Sequence, residues 1–290
     1  MKIITISSGN TQYIDIQYNT LKKYMKSDYE FIVINACVTK EDFSNFNDPY
    51  IIDKAKKKCE DLNINFLNLF DETKNEQIIY NNIDAASCRH SYVLRRVVKY
   101  IKEHPDKYLI IDSDIFLIDY FDINEYDDYN CAVVIQDRFT IKYLWAGFLY
   151  INIFNAPKLD LLTDFDTGVF ENIITDTGGG TYKWIMNIDF NIPSVSEIRN
   201  SDYDFHNKNK IKYIKHLWSM SWNEEEYPSN LSNNILDFCK NDVRNNNNKF
   251  FCEIYDKKFL HIRGGSGWMN EGKSIHDDLS NKLYNVLCMN

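Results

Sequence analysis

The segment Lys107–Phe121, KYLIIDSDIFLIDYF, places two acids, Asp112 and Asp114, at the end of an apolar run. In a continuing strand, positions i and i+2 project to the same side, so the two carboxylates would meet. Adjacent carboxylates in a dry setting repel, and one pKa rises unless a cation or strong donors stand between them. A hard divalent ion meets that need, since Mg2+ or Mn2+ takes one or two carboxylates and fills its shell with phosphate oxygens. Such an ion would neutralise charge developing on a diphosphate group. In a chain with 42 acids a pair this short also arises by chance, as a solvated turn. The apolar YLII in front of it favours a site.

A third ligand is offered by His261, which follows Phe259 and Leu260 and precedes IRGGSGW. An imidazole nitrogen suits Mn2+ better than Mg2+. The backbone N–H groups of Gly264, Gly265, Ser266 and Gly267 could cradle phosphate oxygens. Taken alone, a histidine in this position is more often an ordinary hydrogen-bonded one.

The elements that must position these groups alternate through the first two thirds of the chain. Strand patterns cover 2–7, 30–37, 64–69, 108–112, 131–136 and 147–154. Helical spacing covers 13–25, 49–62 (opened by Pro49) and 82–104 (stopped by Pro105). This alternation predicts an α/β fold with a mostly parallel central sheet flanked by helices. In such sheets ligands gather beyond the carboxyl ends of the strands, where Ser7–Asn10 and Asp112–Asp114 both fall. Beyond residue 155 the pattern weakens, the Asn run within 233–251 reads as an exposed loop, and 257–268 reads as a short strand entering a Gly-rich turn. Without an internal repeat or a Pro/Gly/Ser linker, one domain over 1–290 is expected.

Composition narrows the function classes. The 290 residues carry a net charge of −9, so no basic face is available to release counterions from nucleic acid. Seven cysteines lie at 37, 59, 88, 131, 239, 252 and 288 without a C-x-x-C, which predicts free thiols in a reducing compartment. The opening MKIITISSGN reads as a strand rather than a targeting segment, and no apolar run approaches the roughly 18 residues of a spanning helix. A cytoplasmic location is expected. Enrichment in Asn, Lys, Ile and Tyr is what AT-rich genomes, viral ones among them, produce.

Four stretches together resemble the metal-dependent, nucleotide-sugar-using glycosyltransferases of the GT-A fold, closest to the retaining galactosyltransferase and glycogenin type. They are KIITISSGNTQY at the start, LRRVVKYIKEHPDKYLIIDSDIFL (94–117), WAGFLYIN (145–152) and HIRGGSGW (261–268). The resemblance implies that 1–155 forms the nucleotide-sugar-binding half and 156–290 the acceptor-side half with the closing His motif. It implies Mn2+ (or Mg2+) on Asp112, Asp114 and His261, with Asp112 also near the ribose. It further implies donor contacts from Ser8, Asn10, Tyr13, Arg95, Ser113, Gln136, Gly264, Gly265 and Ser266, and UDP as the nucleotide. Two departures stand out. Of the family's Asp-x-Asp-x-x-Asn segment only Asp176 survives, in TDTGGGTYKW, where the second acid is Gly178. The closing Lys is absent, with Arg263 or Lys273 as substitutes.

Sugar transfer breaks the C1–O bond to the diphosphate as an oxocarbenium-like centre develops. An inverting reaction needs a carboxylate base on the acceptor hydroxyl, for which Asp176 and then Asp137 are the candidates. A retaining reaction could use a leaving-group phosphate oxygen instead. The acceptor, whether glycan, protein or another hydroxyl compound, is open. Trp218, Trp222 and Trp268 could stack on a sugar or simply fill the core.

Two other classes compete. A haloacid-dehalogenase-like phosphatase would use Asp112 as nucleophile and Asp114 as general acid. Three strand–helix units precede the motif here, however, and Phe116 stands where that class prefers Thr or Val. A non-catalytic sugar-nucleotide binder would keep the same ligands without turnover.

Overall fold

The computed structural model describes residues 1–36, 50–69, 85–163, 165–265 and 273–289. Four strands, β1 (Lys2–Ser7), β2 (Glu30–Asn35), β3 (Asn65–Leu67) and β4 (Lys107–Asp112), run parallel in the order β3-β2-β1-β4. The chain then forms β5 (Ile115–Leu117), β6 (Cys131–Arg138) and the long β7 (Ile141–Asn152). β7 lies antiparallel between β4 and β6. Short strands β8 (Gly168–Phe170) and β9 (Ile173–Thr175) make a separate hairpin. β10 (Phe205–His206) and β11 (Ile211–Tyr213) complete the edge of an eight-stranded, mostly parallel sheet. A second sheet of four antiparallel strands joins β12 (His216–Leu217), β13 (Glu253–Tyr255) and β14 (Phe259–His261) to β5.

Successive side chains of a strand face opposite ways, and here both faces are covered by apolar residues. Ile4, Ile6, Ile32, Ile34 and Ile110 pack with helices α3 (Ala85–Glu103) and α4 (Tyr182–Ile188) through Leu94, Val97, Ile101, Trp184 and Ile185. Ile3, Val33, Leu109 and Ile111 pack on the other face with α1 (Thr11–Tyr24) and α2 (Ile51–Asp61) and with the second sheet. Beyond α5 (Val195–Asn200), α6 (Asn233–Lys240) and α7 (Lys273–Cys288) close a third cluster on the second sheet, around Phe116, Ile254, Leu260 and Leu283. The expected α/β architecture, a mostly parallel sheet flanked by helices, is the one found.

The differences have local causes. The Asn run expected as an exposed loop follows an unexpected helix, α6, whose first turn is capped by the Ser232 hydroxyl accepting from the Ile235 N–H. The Asn run itself is a turn: Asn247 and Asn248 take left-handed backbone, which Asn tolerates better than most residues. The Asn245 amide donates to the carbonyls of Cys239 and Lys240 and so ends α6. β7 begins six residues earlier than read, because Ile141–Leu144 pair with the tip of β6. Pro49 and residues 82–84 of the expected helices lie outside the described residues.

Candidate active site

Asp112 is the last residue of β4 in the large sheet, and after two intervening residues the chain enters β5 in the small one. The acid pair is therefore the junction between two sheets. The expectation that i and i+2 project together fails here, because Ser113 and Asp114 form a turn instead of continuing the strand. The two carboxylates meet different partners. Asp112 Oδ1 lies 2.9 Å from His90 Nε2 on α3. Asp114, buried to 1% exposure, has its Oδ1 3.4 Å from His261 Nε2. β1 ends alongside, with Ile6 in register with Asp112, so the Ser7–Asn10 loop does lie next to the acid turn.

Gln17, fully buried on α1, fixes that turn. Its Nε2 donates to Asp112 O and Ile115 O, both at 2.9 Å. The other side is held by β14: His261 is in register with Ile115, and the Ile262 N–H donates to Asp114 O at 2.9 Å. Residues far apart in sequence are thus brought together by one strand pairing.

His261 sits in an anionic cradle. Its Nδ1 is 2.6 Å from Glu253 Oε2, and the Tyr255 hydroxyl also donates to that carboxylate. Burial pulls the imidazole pKa down, but Asp114 and Glu253 outweigh it and push it up to about 10. Glu253 is in turn held below its usual range, despite burial, by His261. Trp145 closes one flank, stacked on Tyr255 at 4.9 Å and with its ring 5.0 Å from His261. Gly147 makes room for that ring, since a Cβ there would fall 2.1 Å from the indole. Gly265 is required where the turn folds over the acids, because its Cβ would lie 2.7 Å from Asp114 Cβ and 2.9 Å from the Tyr13 hydroxyl.

The donor chemistry suits a divalent ion in part. Among the described residues no three His, Cys, Asp or Glu side chains form a ready-made cage. Asp114 and His261 face each other, whereas Asp112 turns to His90. The 3.4 Å between Asp114 Oδ1 and His261 Nε2 is close to the roughly 3 Å that separates adjacent ligands bound at about 2.1 Å. Glu253 on Nδ1 leaves Nε2 as the nitrogen presented to a metal, the usual outer-shell arrangement for a ligating histidine. Phosphate oxygens would have to supply the rest of the shell.

Other residues singled out in the sequence take up different work. Asn10 caps α1, its side-chain oxygen accepting from the N–H groups of Gln12 and Tyr13. The Tyr13 ring is buried, edge-on to Phe116 at 5.2 Å. Neither presents its side chain as an open contact for a base. Arg95 makes a two-bond ion pair with Asp166, at 2.5 and 2.6 Å. That pair belongs to a zipper: Ser87, Ser91 and Arg95, four residues apart on α3, tie the helix to the 165–177 segment. Asp176 is exposed, and its Oδ1 accepts from Ser87 Oγ and the Thr177 N–H. Asp137 accepts the Val195 N–H at 2.8 Å and so caps α5.

Gln136 Oε1 and Ser113 Oγ are buried, with no hydrogen-bond partner among the described residues. Ser8 is partly buried in the turn before Gly9, and Gly264 takes left-handed backbone. Trp222 belongs to the core, donating to Cys252 O, whereas Trp218 lies 6.4 Å from Trp145 beside the cradle. Arg263 lies over the Phe251 ring and donates to Ser219. Ser266, Gly267, Trp268 and the side chain of Lys273 lie outside the described residues.

Sequence reasoning missed His90, Gln17 and Glu253. His90 left a signal, since it occupies the first position of the stripe His90–Leu94–Val97–Ile101, where an apolar residue would be expected. Gln17 and Glu253 left none.

The six cysteines among the described residues are free, and no described helix is long and apolar enough to cross a membrane. No protein-family model matches the chain, and no curated protein does. Solved structures give partial likenesses. The galactosyltransferase LgtC in complex with donor and acceptor sugar analogues is 17% identical over 53% of this chain and 58% of its own, with a TM-score of 0.35. The WbbM bifunctional glycosyltransferase is 13% identical over 52% of this chain and 31% of its own, with a TM-score of 0.30. The glycosyltransferase GlyE of Streptococcus pneumoniae TIGR4 is 15% identical over 52% and 34%, with a TM-score of 0.26. The matched part of this chain thus spans little over half of LgtC and about a third of the other two.

Proposed function

We propose that the protein is a divalent-metal-dependent glycosyltransferase of the GT-A type. It would move a sugar from a nucleoside-diphosphate sugar, with UDP the nucleotide of choice, to a hydroxyl of a glycan, protein or other acceptor. One observation carries the reading: Asp114, in the turn that joins the two sheets, and His261, at the end of β14, stand 3.4 Å apart with Glu253 backing the histidine. Asp112, Asp114 and His261 would hold Mn2+ (or Mg2+), which when bound supplies Lewis-acid stabilisation of the diphosphate.

The chain's own groups do the rest. Glu253 fixes which imidazole nitrogen faces the ion, and Trp145 and Trp218 exclude water from one flank of the cradle. Asp176, exposed and anchored through Oδ1 to Ser87, is the first candidate to accept the acceptor proton if the transfer inverts. Asp137, engaged at the α5 terminus, is the second. If the transfer retains, a leaving-group phosphate oxygen takes that proton.

The test is a thermal-shift and turnover screen of nucleotide sugars with and without Mn2+. A donor at 100 times its Kd should add about 2.7 kcal/mol of stability, and nucleoside diphosphate should be released only with the metal. Asp114→Ala should abolish both responses. A metal-dependent shift that survives this substitution, or the absence of any shift, overturns the reading.

A further inference from the structure

We propose that His90 is a positioning residue of the acid turn: it holds one oxygen of Asp112 so that the other stays turned to the metal and the donor diphosphate. The inference rests on the transferase reading of the site and adds a residue to it. α3 packs on the sheet through the stripe Leu94, Val97 and Ile101, and His90 continues that stripe one turn earlier. A polar ring in a packing position is costly unless it has a partner. Here the partner is Asp112, whose Oδ1 lies 2.9 Å from Nε2 in an ion pair that is short but poorly aligned as a hydrogen bond.

The arrangement answers a problem set by the turn. Asp114 is fixed by the strand pairing that brings His261 to it, whereas Asp112 ends its strand and turns its carboxylate to His90. The Gln17 amide grips the Asp112 carbonyl and not its carboxylate. α3 is itself immobilised on this side by Ser87 to Asp176, Ser91 to the Phe165 carbonyl and Arg95 to Asp166. The imidazole is therefore presented from a fixed helix, so the same turn of α3 touches both Asp112 and the loop that carries Asp176.

Side-chain length provides the test. A Gln amide reaches the position of Nε2, whereas an Asn amide reaches only that of Nδ1. Mn2+ binding in the presence of UDP, read from loss of the free-ion EPR signal, should weaken about 10- to 100-fold in His90→Asn and His90→Ala. In His90→Gln it should stay within about threefold of wild type. The melting temperatures of the metal-free proteins, measured alongside, separate a packing defect from a binding one. Turnover should follow the same order, with kcat at saturating Mn2+ largely recovered in His90→Gln. Wild-type affinity in His90→Asn overturns the proposal, as does an equal loss in Asn and Gln. A wild type that binds no Mn2+ with UDP removes the transferase reading and this inference with it, an outcome distinct from the other two.

Discussion

His216 and His261 are both buried in the same small sheet, on strands that flank β13, and their rings lie 6.1 and 6.0 Å from the ring of one shared neighbour, Tyr255. Their chemistry is opposite. Burial lowers the His216 pKa to about 4, outweighing the Ile214 carbonyl, 3.0 Å from Nδ1, and the more weakly acting Glu253 carboxylate. His261 loses as much solvent, yet Asp114 and Glu253 raise it to about 10. Burial alone does not decide which state a histidine keeps; the carboxylates that face it do. One is a neutral packing group, and the other is held as a cation by the two carboxylates that face it.

Breaking the His261 side should have the largest effect. Asp114→Asn takes one carboxylate from a buried ion pair and should cost about 3–5 kcal/mol in urea unfolding at neutral pH, far more than Asp112→Asn at the more open pair. Next comes the pH dependence. Because the folded pKa of His216 lies below that of the unfolded chain, the unfolded state binds the extra proton between about pH 6.5 and 4. Stability should therefore fall through that window as acid is added, by ~3 kcal/mol in all. His216→Phe should remove this limb, and an unchanged acid limb would show that the ring is not held neutral. His261 has the reverse sign: its contribution is complete below pH 6.5 and is lost as pH climbs towards 10. The smallest effects belong to the turn over the cradle. Gly265→Ala should destabilise by about 2 kcal/mol through collision with Asp114 and Tyr13. Gly264→Ala, whose Cβ would meet nothing, should cost about 1 kcal/mol from its left-handed backbone alone. Equal unfolding midpoints for the two variants would mean that the close approach is relieved elsewhere.

The contrast also marks how far the sequence could be read. The strands β1, β2 and β4 are legible because each is an apolar run buried on both faces, and α3 because its stripe repeats at helical spacing. The meeting of Asp114 with His261 was expected from their placement at two strand ends and from the family resemblance. The difference between Asp112 and Asp114 was not, because it depends on a two-residue turn that sends the chain into another sheet. Asn10, Tyr13 and Arg95, read as ligand contacts, also serve as a cap, a core ring and an ion pair to Asp166. Those roles are set by neighbours dozens of residues away, and no spacing rule reports them. Glu253 stands on a three-residue strand too short to leave a period.

Gln17 spans the acid turn with a single nitrogen bonded to a carbonyl at each end. The two bonds cannot be loosened one at a time without straining the other, so this wall of the cleft behaves as an anvil. The opposing side is braced as well, by the Ile262 N–H on the Asp114 carbonyl and the Arg244 guanidinium on the Arg263 carbonyl, so the acid turn is gripped from both flanks.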